Sequence, residues 1–236
     1  MLVIHEILGL DGHVKEVARR FAEQGYVAAA PNLFTGELQA LLTPAGVAEA
    51  MKSLATAPPE LRRDPSKFAE WAKGQPAERR PVLAAFGQVS QPSAHEQFAR
   101  DALESVRFLR ARRDVNPRRT GSLGFCFGGG ISGRLATIDP ELRAAVIFYG
   151  QNPPLDAVPS VRAAVLGLYG GEDPGITGTV PELAAAMAKA GRRFEHHVYP
   201  GAKHAFFNDT RPNYHAESAR DAWDRVLQFY RETLAA

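Results

Sequence analysis

One stretch constrains this chain more than any other. It runs Thr-Gly-Ser-Leu-Gly-Phe-Cys-Phe-Gly-Gly-Gly-Ile-Ser-Gly-Arg-Leu-Ala-Thr-Ile, from Thr120 to Ile138. An apolar run, Leu123 to Phe125, leads into a thiol flanked by glycines, and a helix-capable segment continues from Ile131 to Ile138. The spacing Gly124-x-Cys126-x-Gly128 is that of a nucleophile elbow with cysteine as the nucleophile. A strand-to-helix turn this tight holds the nucleophile in a strained backbone geometry. Side chains two residues before and after it would collide, so glycine occupies both places. The amides of the following helix then favour a thiolate.

Strands and helices alternate on either side of this element. Met1 to Leu8 reads as a buried strand, and Gly9 to Gly12 as a turn. His13 to Gln24 carries Val14, Val17, Ala18 and Phe21 at helical spacing and stops at Gly25. Tyr26 to Ala30 is a second apolar strand, stopped by Pro31-Asn32. Strand, helix and strand in about thirty residues make a βαβ unit, which implies a parallel sheet.

Further strands are expected at Thr120 to Phe125, Ala144 to Tyr149, Ala163 to Tyr169 and Phe194 to Tyr199. Helices are expected from Ser93, with Glu96 completing a capping box, to about Arg112, at Val180 to Ala190, and at His215 to Leu234. The fold class is α/β: a mostly parallel, doubly wound sheet with helices on both faces, in one domain spanning 1–236.

The exception is an irregular excursion at about 35–92. Pro44, Pro58, Pro59, Pro65, Pro76, Pro81 and Pro92 divide it. Ala45 to Ala55 and Ser66 to Lys73 are expected as short helices. A stretch this long inside a compact domain suits a wall or lid over a site.

Composition removes several functions. The formal charge is +2, and the arginines form no arm with interleaved aromatics, so no nucleic-acid partner is expected. No stretch approaches the roughly 18 apolar residues of a membrane span, and Met1 to Leu10 lacks a basic leader. Cys126 is the single cysteine; without an internal disulfide the chain suits a reducing, cytoplasmic setting. His196 and His197 alternate faces of a strand and cannot both ligate one metal, so no metal site is expected.

A cysteine nucleophile needs a base, and the base needs an orienting group. Two loops that come directly after strands supply them, at the carboxyl edge where open α/β sheets place their sites. Asp173 lies in Tyr169-Gly170-Gly171-Glu172-Asp173, where Glu172 competes with it but reads as a solvated charge. His204 lies in Gly201-Ala202-Lys203-His204-Ala205-Phe206. The order Cys126, Asp173, His204 is the nucleophile-acid-histidine order of α/β-hydrolases. His204 would take or hold the thiol proton, and Asp173 would fix its tautomer. Two backbone amides would form the oxyanion hole: Phe127, just after the nucleophile, and Ile7, in the turn after the first strand. Glu6 would then stand near the sulfur, as a resting partner of the thiol. Trp71, Phe206 and Arg211 are candidate substrate contacts.

Four segments together resemble the dienelactone hydrolase family, the carboxymethylenebutenolidase-like α/β-hydrolases. They are His5-Glu6-Ile7-Leu8-Gly9-Leu10, the pair Gly25-Tyr26-Val27-Ala28 and Pro31-Asn32-Leu33-Phe34, Gly124 to Gly129, and Gly201 to Phe206. The resemblance implies hydrolysis of lactones or activated esters through a Cys-His-Asp triad without cofactor, and a Glu6–Cys126 contact at rest. Two features depart from the family. The chain starts at the strand that ends at the glutamate, without the usual N-terminal β-hairpin, so a monomer or an edge-associated homodimer is expected. Asn208 stands where dienelactone-cleaving members carry an arginine for the substrate carboxylate; Arg211 is near, and Arg62, Arg63, Arg79 and Arg80 lie in the excursion. The expected function is cleavage of a lactone or small ester by a thioester acyl-enzyme. An esterase or thioesterase on the same triad is one alternative. A thiol sensor or binding protein, with Cys126 locked by Glu6, is the other.

Overall fold

Most of the sheet is built from runs that are apolar on both faces. In a computed structural model that describes residues 1–55, 57–58, 61 and 65–234, five strands form one sheet in the order β1-β2-β3-β4-β5, every pair parallel. They are β1 (Leu2–Ile4), β2 (Gly121–Phe125), β3 (Ala144–Phe148), β4 (Ala164–Gly170) and β5 (Phe194–Tyr199). Side chains alternate between the faces, and both faces are covered, as all-parallel sheets require. Val3, Leu123, Phe125, Val146 and Phe148 pack under α1 (Gly12–Glu23) and α10 (Ala216–Leu234). Leu2, Ile4, Ala145, Ile147 and Val165 pack under α6 (Pro92–Arg110), α7 (Phe127–Ile138) and α9 (Val180–Lys189).

After β1 the chain passes through α1 and lays Ala29 along the far side of β1. The Val3 amide donates to the Ala29 carbonyl at 2.8 Å, and the Ala29 amide to the Met1 carbonyl at 2.9 Å. The chain then returns through the excursion and α6 to β2, on the other side of β1. The direction of winding therefore reverses between β1 and β2. The crevice at the carboxyl ends of these two strands is where such sheets bind ligands. Glu6 lies just beyond β1 and Cys126 just beyond β2.

Several expectations shift. Tyr26 to Ala30 forms a single parallel bridge, Leu2 to Ala29, rather than a full strand. Its partner β1 is only three residues long, and Pro31 supplies no donor to extend the pairing. The long helix begins at Pro92 with Gln91 as its N-cap, so Ser93 lies inside the first turn and forms no capping box. The excursion is more regular than expected. It contains α2 (Glu37–Leu41), α3 (Pro44–Ala55), α4 (Pro65–Lys73) and α5 (Arg80–Val89). Proline stands in the first turn of the last three and of α6, where its missing N–H has no intrahelical partner to lose. Helices α3, α4 and α5 share an apolar cluster of Ala50, Leu54, Phe68, Ala72, Val82 and Leu83. Arg62 and Arg63 lie outside the described residues.

One buried ion pair fixes the frame around β2. Arg110, at the end of α6, donates to both Asp139 oxygens at 3.1 and 2.8 Å and to the Thr120 hydroxyl at 2.9 Å. Its side chain is 10% exposed and that of Asp139 2%. Removing one partner strands a buried charge. Arg110→Ala should therefore lose about 3–5 kcal/mol of stability in urea denaturation, whereas replacing both Arg110 and Asp139 with apolar residues should recover most of that loss.

Candidate active site

The elbow has the geometry that its glycines permit. Cys126 sits at φ 53° and ψ −113°, a conformation that side-chain-bearing residues rarely adopt. Its amide donates to the Phe148 carbonyl at 2.9 Å, and its carbonyl accepts from the Gly130 amide at 3.1 Å. A Cβ on Gly124 would lie 1.9 Å from the Gly128 carbonyl oxygen. A Cβ on Gly128 would lie 2.4 Å from the Ile4 and His5 carbonyl oxygens. The start of α7 is thus pressed directly against the end of β1.

The acid and the histidine arrive on adjoining loops. Asp173 comes after β4 and caps a short helix, α8 (Pro174–Thr177). The Gly171 amide donates to the Tyr199 carbonyl at 2.8 Å and the Glu172 amide to the Ala202 carbonyl at 2.9 Å, which stitches the acid loop to the histidine loop. The His204 Nδ1 hydrogen-bonds to an Asp173 oxygen at 2.6 Å. Glu172 is exposed. Burial works against charge on the His204 ring, but hydrogen bonds to Asp173 and to the Cys126 sulfur outweigh it and raise its pKa to about 10. The structure thus brings together the three residues expected as a triad.

Glu6 is buried beside them, and each of its oxygens has a donor. The Tyr149 hydroxyl donates to one at 3.3 Å and the Asn208 side-chain amide to the other at 2.9 Å. Asn208 is turned this way because its own oxygen accepts from the Thr210 amide at 3.0 Å and hydroxyl at 2.7 Å. Where a thiol contact was expected, Glu6 faces Tyr149 and Asn208, and the sulfur acts on His204. His5 holds the turn from below. Its Nδ1–H donates to the Glu6 carbonyl at 2.6 Å, and its Nε2 accepts from the Leu33 amide at 3.0 Å. Burial pushes the His5 ring down to about 4, so it stays neutral in this one tautomer.

A cavity of about 580 Å³ opens over these groups, lined by Glu6, Ile7, Cys126, Phe127, Tyr149 and His204 among others. Among the described residues, no protein acceptor takes the Ile7 or Phe127 N–H, so two backbone donors are free at the cavity wall. Arg211 lines the cavity too and makes no ion pair among the described residues. Trp71 and Phe206 do not reach it. Trp71 packs on Phe68 with ring centres 5.6 Å apart, inside the excursion's own cluster. Phe206 is fully buried beneath the site, against Tyr149, Phe148 and Tyr199.

Two neighbours of the site go unmarked in the sequence. Tyr149 is held at φ 38°, and its ring centre lies 5.1 Å from that of His204. Its signal is a hydroxyl-bearing residue ending an apolar strand at the carboxyl edge. His95, in the first turn of α6, lines the cavity edge-on to Phe127 at 5.5 Å between ring centres.

A parallel α/β sheet with a cysteine elbow, and a paired acid and histidine on the next carboxyl-edge loops, defines an α/β-hydrolase. The model of the dienelactone hydrolase family matches residues 1–234. A protein of Saccharolobus solfataricus assigned as a carboxymethylenebutenolidase is 37% identical over 232 residues, covering 98% of this chain and 88% of its own. One of Escherichia coli K12 with the same assignment is 31% identical over 243 residues, covering 98% and 76%. A crystal structure from Klebsiella pneumoniae, assigned as a dienelactone hydrolase, is 30% identical with a TM-score of 0.71, covering 97% of this chain and 85% of its own. The chain belongs to the dienelactone hydrolase family and is a hydrolase.

The Asp173 bond sets a measurable titration. Asp173→Asn should lower the His204 pKa from about 10 towards its ordinary value of 6.5, measured by NMR of the ring protons. A pKa raised in the folded state stabilises the protein fully below about pH 6.5, and that contribution fades as pH rises through about 10. The variant should therefore differ from the wild type most below pH 6.5 and converge with it at high pH.

Proposed function

We propose that this enzyme hydrolyses a lactone or small carboxylic ester through Cys126, His204 and Asp173. The observation that carries this reading is the His204–Asp173 bond of 2.6 Å formed on the loops beside a strained cysteine elbow.

With its raised pKa, His204 holds a proton near neutrality and Asp173 keeps the ring oriented. The sulfur attacks the substrate carbonyl carbon, and the carbonyl oxygen becomes an oxyanion. The Ile7 and Phe127 amides donate to that oxygen. As the tetrahedral intermediate collapses, the C–O bond breaks and the alcohol oxygen takes the proton from His204. A thioester on Cys126 remains. Water, deprotonated by His204, attacks the thioester carbon. The C–S bond breaks, the carboxylic acid leaves, and the proton returns to the Cys126–His204 pair. In a lactone the alcohol and acid are ends of one molecule. Arg211, without an ion-pair partner among the described residues, offers a cation for an anionic group on the alcohol side.

A locked thiol sensor would need Glu6 bound to the sulfur, and the Tyr149 and Asn208 bonds of Glu6 favour the hydrolase over it. No helix among the described residues is long and apolar enough to cross a membrane. We take the cytoplasm as its place and a small molecule as its partner.

Cys126→Ala and Cys126→Ser should each lower p-nitrophenyl ester turnover by roughly a thousandfold or more. Mass spectrometry of the quenched wild type should show one acyl group on the Cys126 peptide. Turnover that survives in both variants would sink the nucleophile assignment.

A further inference from the structure

The cavity has two unlike ends. One is the loop between β5 and α10, which supplies His204, Arg211 and Asn213. The Asn213 side-chain amide donates to the His204 carbonyl at 3.0 Å, which ties this wall to the loop that carries His204. The other end comes from the excursion: Val47 and Met51 on α3, Phe86 and Val89 on α5, then Ser90 and His95. Among the described residues, that wall contains no aspartate, glutamate, lysine or arginine. The Ser90 hydroxyl is spent on the Phe86 carbonyl at 2.8 Å.

Topology sets these ends apart. The sheet runs from β1 to β5, and the excursion attaches beyond β1. The histidine loop leaves β5, at the opposite edge, and Cys126 stands between them after β2. A base that protonates the leaving oxygen lies on the alcohol side of the scissile bond. The acyl half then points the other way, towards α3 and α5.

Volume gives the size of what goes there. A heavy atom needs no more than a water's share of about 30 Å³. A small lactone of about ten heavy atoms would fill about half of the 580 Å³ at most. The remaining space towards α3 and α5 is bounded mainly by apolar side chains, and Met51 among them is 53% exposed. A methionine adapts to chains of varied shape.

Resting on the hydrolase reading, we propose that α3 and α5 form an acyl pocket, and that the enzyme selects esters whose acid half is an alkyl chain of about six to eight carbons. Val47, Met51, Phe86 and Val89 determine that preference. The pocket is braced from behind by α4, where a Cβ on Gly87 of α5 would come within 2.7 Å of the Phe68 ring. The wall therefore meets its ligand already formed.

Two ester series test this with the full chain. In p-nitrophenyl esters from acetate to decanoate only the acid half grows; in alkyl acetates from methyl to octyl only the alcohol half grows. In the first series kcat/KM should rise roughly threefold to fourfold per added methylene until the pocket is full, near hexanoate or octanoate. The second series should stay flat. Met51→Asp should cut the hexanoate-to-acetate ratio by at least about tenfold, whereas Met51→Leu should keep it. A preference for acetate, or a slope in the alcohol series instead, would overturn the acyl pocket and leave the hydrolase reading standing. If the wild type turned over no ester in either series, both would fall.

Discussion

The structure depends on a backbone contact that only glycine allows. At Gly128 the first turn of α7 meets the Ile4 and His5 carbonyls so closely that a methyl group would sit 2.4 Å from both. At Gly124 the same turn folds back over β2, leaving 1.9 Å. Neither contact can be relaxed alone, because β1 and β2 are paired, Ile4 beside Gly124. The elbow is therefore wedged against the neighbouring strand, and Cys126 is forced to φ 53°. The same wedge puts the turn after β1 beside the start of α7. That proximity is why Ile7 and Phe127, 120 positions apart in the numbering, present free amides to one cavity.

How much of the fold is legible in the sequence depends on where burial is two-sided. The runs of β2 to β4 are mostly apolar because both faces are covered, and such runs can be read without knowing their neighbours. The Phe194–Tyr199 strand is legible to the residue although Glu195, His196 and His197 interrupt it, because turn residues bound it on both sides. The excursion is harder for a definite reason. Its prolines read as breaks, and most of them mark helix starts. A proline can end the segment on its N-terminal side or open one on its C-terminal side, and only packing decides between them. Here Phe68, Ala72, Val82 and Leu83 decide it, from two helices whose pairing no local pattern reveals.

The candidate site divides along the same line. Cys126, Asp173 and His204 each end a strand in a loop, so their position can be inferred from order alone. The partners of Glu6 cannot. Tyr149 is 143 residues from it and Asn208 is 202, and neither pairing leaves a periodic trace. In sequence Asn208 reads only as an absence, the place of an arginine. In the structure it has a positive role, set by Thr210, which fixes its amide to donate towards Glu6. Trp71 fails as a substrate contact because an aromatic on a short helix serves packing and binding equally well in sequence, and α4 faces α5 rather than the cavity.

These partners also divide the labour of charge within the cavity. The two donors on Glu6 are groups that do not titrate under working conditions. Burial, with Glu6 nearby, pushes the Tyr149 hydroxyl well above its ordinary pKa, so it remains an O–H. A carboxamide has no proton to give. Both donors to Glu6 therefore keep their protons, and the Ile7 amide lies in the turn next to these bonds. His204 is built in the opposite sense. Its partners are a carboxylate and a thiol, which together raise its pKa, and its side chain is more exposed than that of Glu6. On the proposed mechanism, the Ile7 amide then stands beside donors that keep their protons, which suits preorganised stabilisation of a developing charge.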